Sequence, residues 1–174
     1  MHNAKTIAAM IERMADGIEA QRLDAPVLVG IRTGGAWLAE RLAAALAARA
    51  GGAAPQLGAL DISFYRDDFS RVGLNPEVKA SELPMAVDGR DIVLVDDVLH
   101  TGRTIRAALN EIFAYGRPER IRLAVLIDRP GRELPIHADV VGESLDLSQH
   151  EEAKLSNTDG RLALDIIRIG EAAR

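Results

Sequence analysis

The sequence lacks cysteine altogether and is poor in aromatic residues, which make up 3% of the chain and include a single tryptophan. Without cysteine, a disulfide framework, a thiolate metal site and a cysteine nucleophile are all excluded. A continuous apolar core is missing from the stretch MHNAKTIAAMIERM, which mixes charged and apolar side chains at helical spacing. This pattern predicts neither a signal peptide nor a membrane span, so we expect a cytoplasmic protein.

The rest of the composition is that of an ordinary globular protein. The chain has 174 residues, of which 48% are hydrophobic and 27% charged. This length and balance predict one domain, residues 1–174, with a substantial core. The formal net charge of -5 argues mildly against a general affinity for nucleic acids, although a local basic patch is compatible with it.

Short, continuously apolar segments alternate with helical patterns along the chain. This alternation predicts an α/β fold with a mostly parallel sheet that is covered by helices on both faces. Residues 67–84 are polar and have no period, which is typical of a functional lid or a mobile loop. From Ser144 the tail is polar as far as a short apolar segment, 162–170, which we expect to pack at the domain edge. The predicted helices are 4–21, 36–52 and 104–116, and the predicted strands are 27–31, 57–66, 91–95, 120–129 and a short one near 142.

Two adjacent acids, Asp96 and Asp97, stand at the end of the apolar run IVLV and are followed by the loop 101–104, Thr-Gly-Arg-Thr. The loop precedes a predicted helix, where free backbone amides and the helix dipole both favour an anion such as phosphate. Carboxylates accept hydrogen bonds from sugar hydroxyls. Acids and a phosphate loop within nine residues therefore predict a sugar phosphate ligand. Thr104 has a second interpretation as a helix cap.

A second loop, Arg32-Thr33-Gly34-Gly35, follows the predicted strand 27–31 and is suited to another anionic group, since paired glycines let backbone amides approach closely. Several nucleotide-binding classes do not fit. The sequence has neither the P-loop pattern G-x-x-x-x-G-K-[ST] nor the dinucleotide pattern G-x-G-x-x-G. A phosphoacceptor domain would find its further acid in Asp128, but a lysine in a fitting place is missing.

These motifs also carry a family resemblance. VLVDDVLHTGRT resembles the binding motif for phosphoribosyl pyrophosphate (PRPP) of type I phosphoribosyltransferases. VGIRTGG, LDISFYRDDFS, YGRPERIRLAVLIDR and GRELPIHADVVG resemble one branch of that family in order and spacing: bacterial pyrimidine-operon regulators that are also uracil phosphoribosyltransferases. The combination of SFYRDD with GRELPI is the most specific part, and the match weakens after Gly142.

The resemblance implies a type I phosphoribosyltransferase fold, with a central, mostly parallel sheet flanked by helices and a small hood at about 129–160. A mobile flap is implied at about 66–82. It also implies formation of UMP and pyrophosphate from uracil and PRPP, with Mg²⁺ as cofactor carried by PRPP rather than by protein ligands. A homodimer or larger assembly is implied as well.

The same resemblance implies roles for individual residues. Asp97, Arg66 and Arg32 are the expected catalytic residues, and Arg129 and Ala153 the expected uracil contacts. We interpret His100 as a side chain of the loop rather than as a base. Trp37 is expected in the core or at an interface. The residues implied in PRPP binding are Thr33, Gly34, Asp96, Asp97, Val98, Leu99, His100, Thr101, Gly102, Arg103 and Thr104.

The regulatory branch binds the leader messenger RNA of its pyrimidine (pyr) operon in a UMP-dependent way, which makes such RNA an expected partner. Departures in the sequence argue against this partner. Gly131 stands where a histidine is usual, His137 replaces an expected arginine, and the lysine-rich stretch of related sequences is acidic here. Lost cations weaken binding to phosphates strongly. The arginines that remain are Arg13, Arg22, Arg120, Arg122, Arg129 and Arg132, and the new acids are Glu143, Asp146, Glu151 and Glu152.

Two alternatives therefore stay open beside a bifunctional enzyme and regulator. One is a UMP-sensing, RNA-binding regulator with vestigial catalysis. The other is a phosphoribosyltransferase for a different base.

Overall fold

A computed structural model describes residues 4–62, 81–83 and 86–169. Three helices and seven strands are found in these ranges. The helices are α1 (Ala4–Ala20), α2 (Gly34–Ala50) and α3 (Arg103–Tyr115). The strands are β1 (Val27–Ile31), β2 (Leu57–Leu60), β3 (Asp91–Leu99), β4 (Arg120–Asp128), β5 (Val140–Ser144), β6 (Glu151–Thr158) and β7 (Arg161–Arg168).

The first five strands form one sheet in the order β2-β1-β3-β4-β5, and all its strand pairs are parallel. Its central strands are continuously apolar because helices cover both faces. Helices α1 and α2 pack on one face, where Met10, Met14 and Leu42 are fully buried. Helix α3 packs on the other face through Ile105 and Ile112. The prediction of an α/β fold with a parallel sheet is confirmed.

Strands β6 and β7 form a separate antiparallel hairpin. Ala153 and Leu155 of β6, with Leu162 and Leu164 of β7, are buried in the core cluster that contains α1 and α2. The sequence prediction placed no strand between Ser144 and the apolar segment at 162–170, so β6 was missed. Alternate residues of β6 are polar because one face of this strand is exposed, and the short apolar segment predicted at 162–170 is its partner strand.

The ends of several elements differ from their predicted positions. Strand β3 continues to Leu99 because it stays paired with β4 as far as Asp128, so Asp96 and Asp97 lie within the strand and not after it. Helix α2 begins at Gly34, so both glycines of the 32–35 loop belong to its first turn. Strand β2 ends at Leu60. Arg66 and most of the predicted flap lie outside the described residues. Among the described residues, none of the helices has the length and apolarity needed to cross a membrane.

An ion pair with a buried carboxylate fixes the amino end of β3, opposite to the end that carries Asp96. Asp91 is 3% exposed and accepts hydrogen bonds from Nε and NH2 of Arg120, at 2.9 and 2.7 Å, and from the backbone amide of Asp24 at 2.8 Å. The hydrogen bonds from Arg120 are the main reason why the pKa of Asp91 is lowered from its ordinary value. The pair links β3 to β4 and to the segment before β1.

We expect Asp91→Asn to lower the free energy of unfolding by about 1–2 kcal/mol at neutral pH, because two charge-assisted hydrogen bonds become weaker. Arg120 is half exposed and can be hydrated after the change, which limits the loss. A lowered folded-state pKa stabilises the protein above the unfolded pKa, and this contribution disappears as the pH falls through the folded value. Urea unfolding should therefore show a difference between wild type and variant that shrinks in acid. Asp146→Asn, at an exposed position, is the control.

Candidate active site

An open cleft of about 830 Å³ lies at the carboxyl ends of the sheet strands, where ligands of open parallel sheets bind. It is bounded by the start of α2, the end of β3, the start of α3 and the hairpin strand β6. The residues that line it are Arg32, Thr33, Gly34, Trp37, Asp96, Asp97, Val98, His100, Thr101, Arg103, Thr104, Arg129, Glu133, Glu152, Ala153, Lys154 and Leu155.

The acidic pair lies near the carboxyl end of β3. Asp96 is 5% exposed and Asp97 is half-buried. The backbone amide of Asp97 donates to Oδ1 of Asp96, and the amide of Val98 donates to Oδ1 of Asp97, both at 3.0 Å. Each carboxylate is thus oriented by the backbone, and two adjacent negative charges are held at the wall of the cleft.

Residues 101–104, which we call the phosphate loop, form the entry to α3. Gly102 stands before the helix with φ of +92°, a left-handed conformation that favours glycine. The amide of Arg103 donates to Oγ1 of Thr101 at 3.3 Å, and the amide of Arg106 makes the first helical bond to the carbonyl of Gly102 at 3.0 Å. Thr101, Arg103 and Thr104 line the cleft, so the helix start presents hydroxyl donors and a cation to it.

The 32–35 loop also lines the cleft, and its Gly34 lies next to Asp97. The peptide bond between Arg32 and Thr33 is cis. The guanidinium NH2 of Arg32 lies 3.2 Å from Oε2 of Glu82. A Cβ atom added to Gly34 would lie 2.6 Å from Cγ of Asp97 and would contact its Oδ2. The absence of a side chain at residue 34 therefore gives the carboxylate of Asp97 its space.

Arg129 joins the end of β4 to the segment that leads into the hairpin. It is 5% exposed, and its guanidinium donates from NH1 to the carbonyl of Glu151 at 2.6 Å and from NH2 to the carbonyl of Ser148 at 2.8 Å. Its Nε is buried without a hydrogen-bond partner among the described residues. Ala153, two residues after Glu151, lines the cleft beside it. Arg129 therefore fixes the position of β6 relative to the sheet.

His100 also lines the cleft, and its ring occupies the space next to Gly131. A Cβ atom at residue 131 would lie 2.5 Å from Nε2 of His100. A side chain at residue 131 would therefore displace the ring from this position. Burial, followed by the charges of Arg129 and Arg132, lowers the pKa of His100, so the neutral imidazole is favoured.

The predicted site residues fall into three groups. Most of them line the one cleft. Leu99 is buried in the core and Gly102 is buried at the helix start, where they shape the backbone. Arg66 lies outside the described residues. Four further lining residues were not predicted from the sequence: Glu133, Glu152, Lys154 and Leu155. The place of Trp37 was left open. The turn Asp159-Gly160 is the sequence signal that would have indicated where β6 and β7 pair.

The described residues contain no group of three or more histidine or acidic side chains placed to hold a metal ion. The oxygen donors of the cleft include the carboxylates of Asp96 and Asp97 and the hydroxyls of Thr101 and Thr104. Such hard oxygen ligands suit Mg²⁺ that keeps most of its ligands from water and a bound phosphate. The donor set fits a magnesium ion that enters with a polyphosphate.

Comparisons with known proteins agree with this geometry. A family model for the phosphoribosyl transferase domain matches residues 1–155. A protein of Nitrosococcus oceani named bifunctional protein PyrR is 51% identical over 157 residues, which cover 88% of this chain and 87% of the relative. A protein of the same name from Pseudomonas paraeruginosa is 52% identical over 152 residues, covering 85% and 86%.

Solved structures show the same fold at low sequence identity. A hypoxanthine-guanine phosphoribosyltransferase of Bacillus anthracis superposes with a TM-score of 0.65 at 17% identity, covering 83% of this chain and 82% of that one. A hypoxanthine phosphoribosyltransferase of Trypanosoma cruzi gives 0.66 at 20% identity, covering 87% and 79%. The chain therefore belongs to the phosphoribosyltransferase family, in which its half-identical relatives are named bifunctional protein PyrR.

Proposed function

We propose that the protein transfers the phosphoribosyl group of PRPP to uracil and forms UMP and pyrophosphate. One observation carries the proposal: the acidic pair Asp96–Asp97 and the phosphate loop 101–104 open into the same cleft. Carboxylates suit sugar hydroxyls and a helix start suits a phosphate, so this combination fits a ribose 5-phosphate. The membership of the phosphoribosyltransferase family supports the same ligand.

The parts of PRPP are assigned to the walls of the cleft in our proposal. The 5′-phosphate binds at the phosphate loop, with Val98, Leu99 and His100 as the adjoining backbone, and the ribose hydroxyls bind to Asp96 and Asp97. The pyrophosphate binds at Thr33 and Gly34, with Arg32 as its cation. A Mg²⁺ ion held by PRPP oxygens near the acidic pair would neutralise charge on the pyrophosphate leaving group.

The reaction is a displacement at C1 of the ribose. The C1–N1 bond to uracil forms, the bond from C1 to the pyrophosphate oxygen breaks, and the proton of N1 is released. Positive charge develops on the sugar ring, and the carboxylate of Asp97 is positioned to stabilise it electrostatically. Arg32 would stabilise the departing pyrophosphate, and Arg66, outside the described residues, is proposed to assist it. The remaining work of the protein is positioning and exclusion of water.

The uracil site is proposed at the hairpin end of the cleft. Arg129 uses NH1 and NH2 on the carbonyls of Glu151 and Ser148, which leaves its buried Nε as a donor for a base carbonyl. Strand β6 has β7 on one side, so part of its backbone near Ala153 faces away from the hairpin. Backbone donors and acceptors there match the carbonyl groups and the N3–H of uracil.

A base-competition assay tests this proposal. Purified protein is supplied with PRPP, Mg²⁺ and either uracil, cytosine, orotate, hypoxanthine or guanine, and pyrophosphate release and nucleotide formation are measured. We expect release with uracil alone and UMP as the product, with no reaction after chelation of Mg²⁺. Turnover of another base in place of uracil would establish the alternative of a different base specificity. Absence of turnover with every base would contradict an enzymatic function.

Regulation through RNA is the second candidate, favoured by the name bifunctional protein that the relatives bear. Four of the six arginines named in the sequence analysis make contacts within the protein. Arg120 pairs with Asp91 and Arg122 pairs with Asp139, while Arg129 donates to backbone carbonyls. Arg132 pairs with Asp128. Arg13 and Arg22 are exposed and remain as candidate phosphate contacts.

We therefore expect weak binding to a pyr leader transcript. Two arginine contacts would give a salt slope of log K against log [salt] of about −2 or less in magnitude. Filter binding across a salt series, with and without UMP, measures this slope, and Arg13→Gln should reduce it further. A steep slope with a large effect of UMP would support the alternative in which regulation is the main function.

We also propose that the protein forms a homodimer or a larger assembly. Sedimentation of the purified protein would test this.

A further inference from the structure

We propose that Arg132 and Asp128 are positioning residues that hold the phosphate loop in its binding conformation. The inference rests on the proposed function, because it assigns the loop to the 5′-phosphate of PRPP. Neither residue is among those that line the cleft, so both would act through the backbone of the loop.

The ion pair between Arg132 and Asp128 leads directly to the loop. NH2 of Arg132 donates to Oδ1 of Asp128, the last residue of β4. NH1 of Arg132 donates to the carbonyl of His100, the residue before the phosphate loop, and lies 3.4 Å from the carbonyl of Arg129. One guanidinium thus joins the end of β4 to the start of the loop.

The rest of the connecting segment 128–134 is bonded to the same loop. The amides of Glu133 and Leu134 both donate to the carbonyl of Thr101, at 3.0 and 3.1 Å. The amide of Arg129 donates to the carbonyl of Leu99 at 3.0 Å. Oε2 of Glu133 lies 2.6 Å from Nε of Arg103. The segment 128–134 therefore binds the carbonyls of Leu99 and Thr101, the residues before and after His100.

These contacts determine where the loop amides point. A peptide unit is planar, so a fixed carbonyl at His100 fixes the direction of the amide of Thr101. The amides that follow would donate to a phosphate at the helix start. The side chains of Arg132 and Asp128 are 21% and 31% exposed, and Nε of Arg132 is buried. This geometry suits a fixed internal contact better than a surface contact with RNA.

The experiment compares Arg132→Met and Asp128→Asn with Arg122→Met. The control removes the arginine of another ion pair, in which the guanidinium of Arg122 lies 3.0 Å from Oδ1 of Asp139. Arg122 is at the opposite end of β4 from Asp128. Calorimetry with PRPP and Mg²⁺ gives Kd, uracil turnover gives the two KM values, and thermal unfolding gives Tm. We expect Arg132→Met to raise Kd and KM for PRPP about 10- to 100-fold, because a charge-assisted hydrogen bond to the loop is lost.

The KM for uracil should change by no more than about twofold, and the control should leave both KM values unchanged. Arg132→Lys should restore part of the PRPP affinity, and Asp128→Asn combined with Arg132→Met should be less than additive. If the wild type binds PRPP and the Arg132→Met variant binds it with the same Kd, the inference is overturned and the proposed function stays intact. Equal losses in both KM values together with a lower Tm would reduce the pair to a purely structural role. A wild-type protein that does not bind PRPP would overturn both.

Discussion

Replacing Asp96 and Asp97 together by asparagine should lower kcat/KM for PRPP roughly 100- to 10,000-fold. In the proposed function each carboxylate accepts hydrogen bonds from a ribose hydroxyl, and hydrogen bonds to a charged group contribute about 1.5–3 kcal/mol each. Asparagine has the same shape and its oxygen can still accept the amide bonds at 3.0 Å that orient the two side chains. The change therefore removes charge with little effect on packing.

The double variant should unfold at a Tm no lower than that of the wild type, since repulsion between two adjacent carboxylates is relieved. Initial rates of UMP formation and calorimetric titration with PRPP measure the loss. Asp139→Asn is the matched control, because this carboxylate lies at the opposite end of the sheet in an ion pair with Arg122. A double variant that binds PRPP as tightly as the wild type would contradict the assignment of the acidic pair to the ribose.

The substitution Gly34→Ala should reduce turnover about as much as the loss of Asp97 alone, while the protein still folds. The added Cβ would lie 2.6 Å from Cγ of Asp97, so the carboxylate must rotate away or the 32–35 loop must shift. Asp97 is half-buried and has the open cleft beside it, so the carboxylate can move at a moderate cost in stability. Overpacking of this kind costs about 1–3 kcal/mol.

Gly52→Ala is the control for the loss of a glycine near α2. Residue 52 is exposed, and an added Cβ would have no neighbour closer than 3.8 Å. We expect normal turnover and normal stability in this variant. Combining Gly34→Ala with Asp97→Gly, which removes the obstructing carboxylate, should recover stability without recovering turnover. Full activity of Gly34→Ala would show that the position of Asp97 is not important for the reaction.

The central sheet could be predicted from the sequence because its strands are buried on both faces. Segments such as VLVGI and IVLV are continuously apolar, as parallel strands covered on both faces are. The position of the ligand cleft followed from the same pattern, since loops after parallel strands meet at one edge. The ends of the strands were less predictable: β3 continues through two acids to Leu99 because of its pairing with β4, which the residues of β3 alone do not indicate.

The hairpin was missed because the sequence of β6, EEAKLSNT, has only two apolar residues, Ala153 and Leu155. The core cluster that it joins is built mainly by α1, α2 and the central sheet, which are far away in sequence. Side-chain networks were missed for a similar reason. Arg129 and Arg132 resemble surface cations in the sequence, yet their partners are backbone carbonyls and Asp128. Such partners depend on how β4 and the following segment are placed in three dimensions.

The charges on the cleft wall have a consequence for the rate of ligand capture. Among the described lining residues, four cations stand against four anions: Arg32, Arg103, Arg129 and Lys154, with Asp96, Asp97, Glu133 and Glu152. The electric fields of equal numbers of opposite charges cancel within a few ångströms of the surface. The cleft would therefore exert little long-range electrostatic attraction on a polyanion. The encounter with PRPP should then be slower than a steered one and nearly independent of ionic strength.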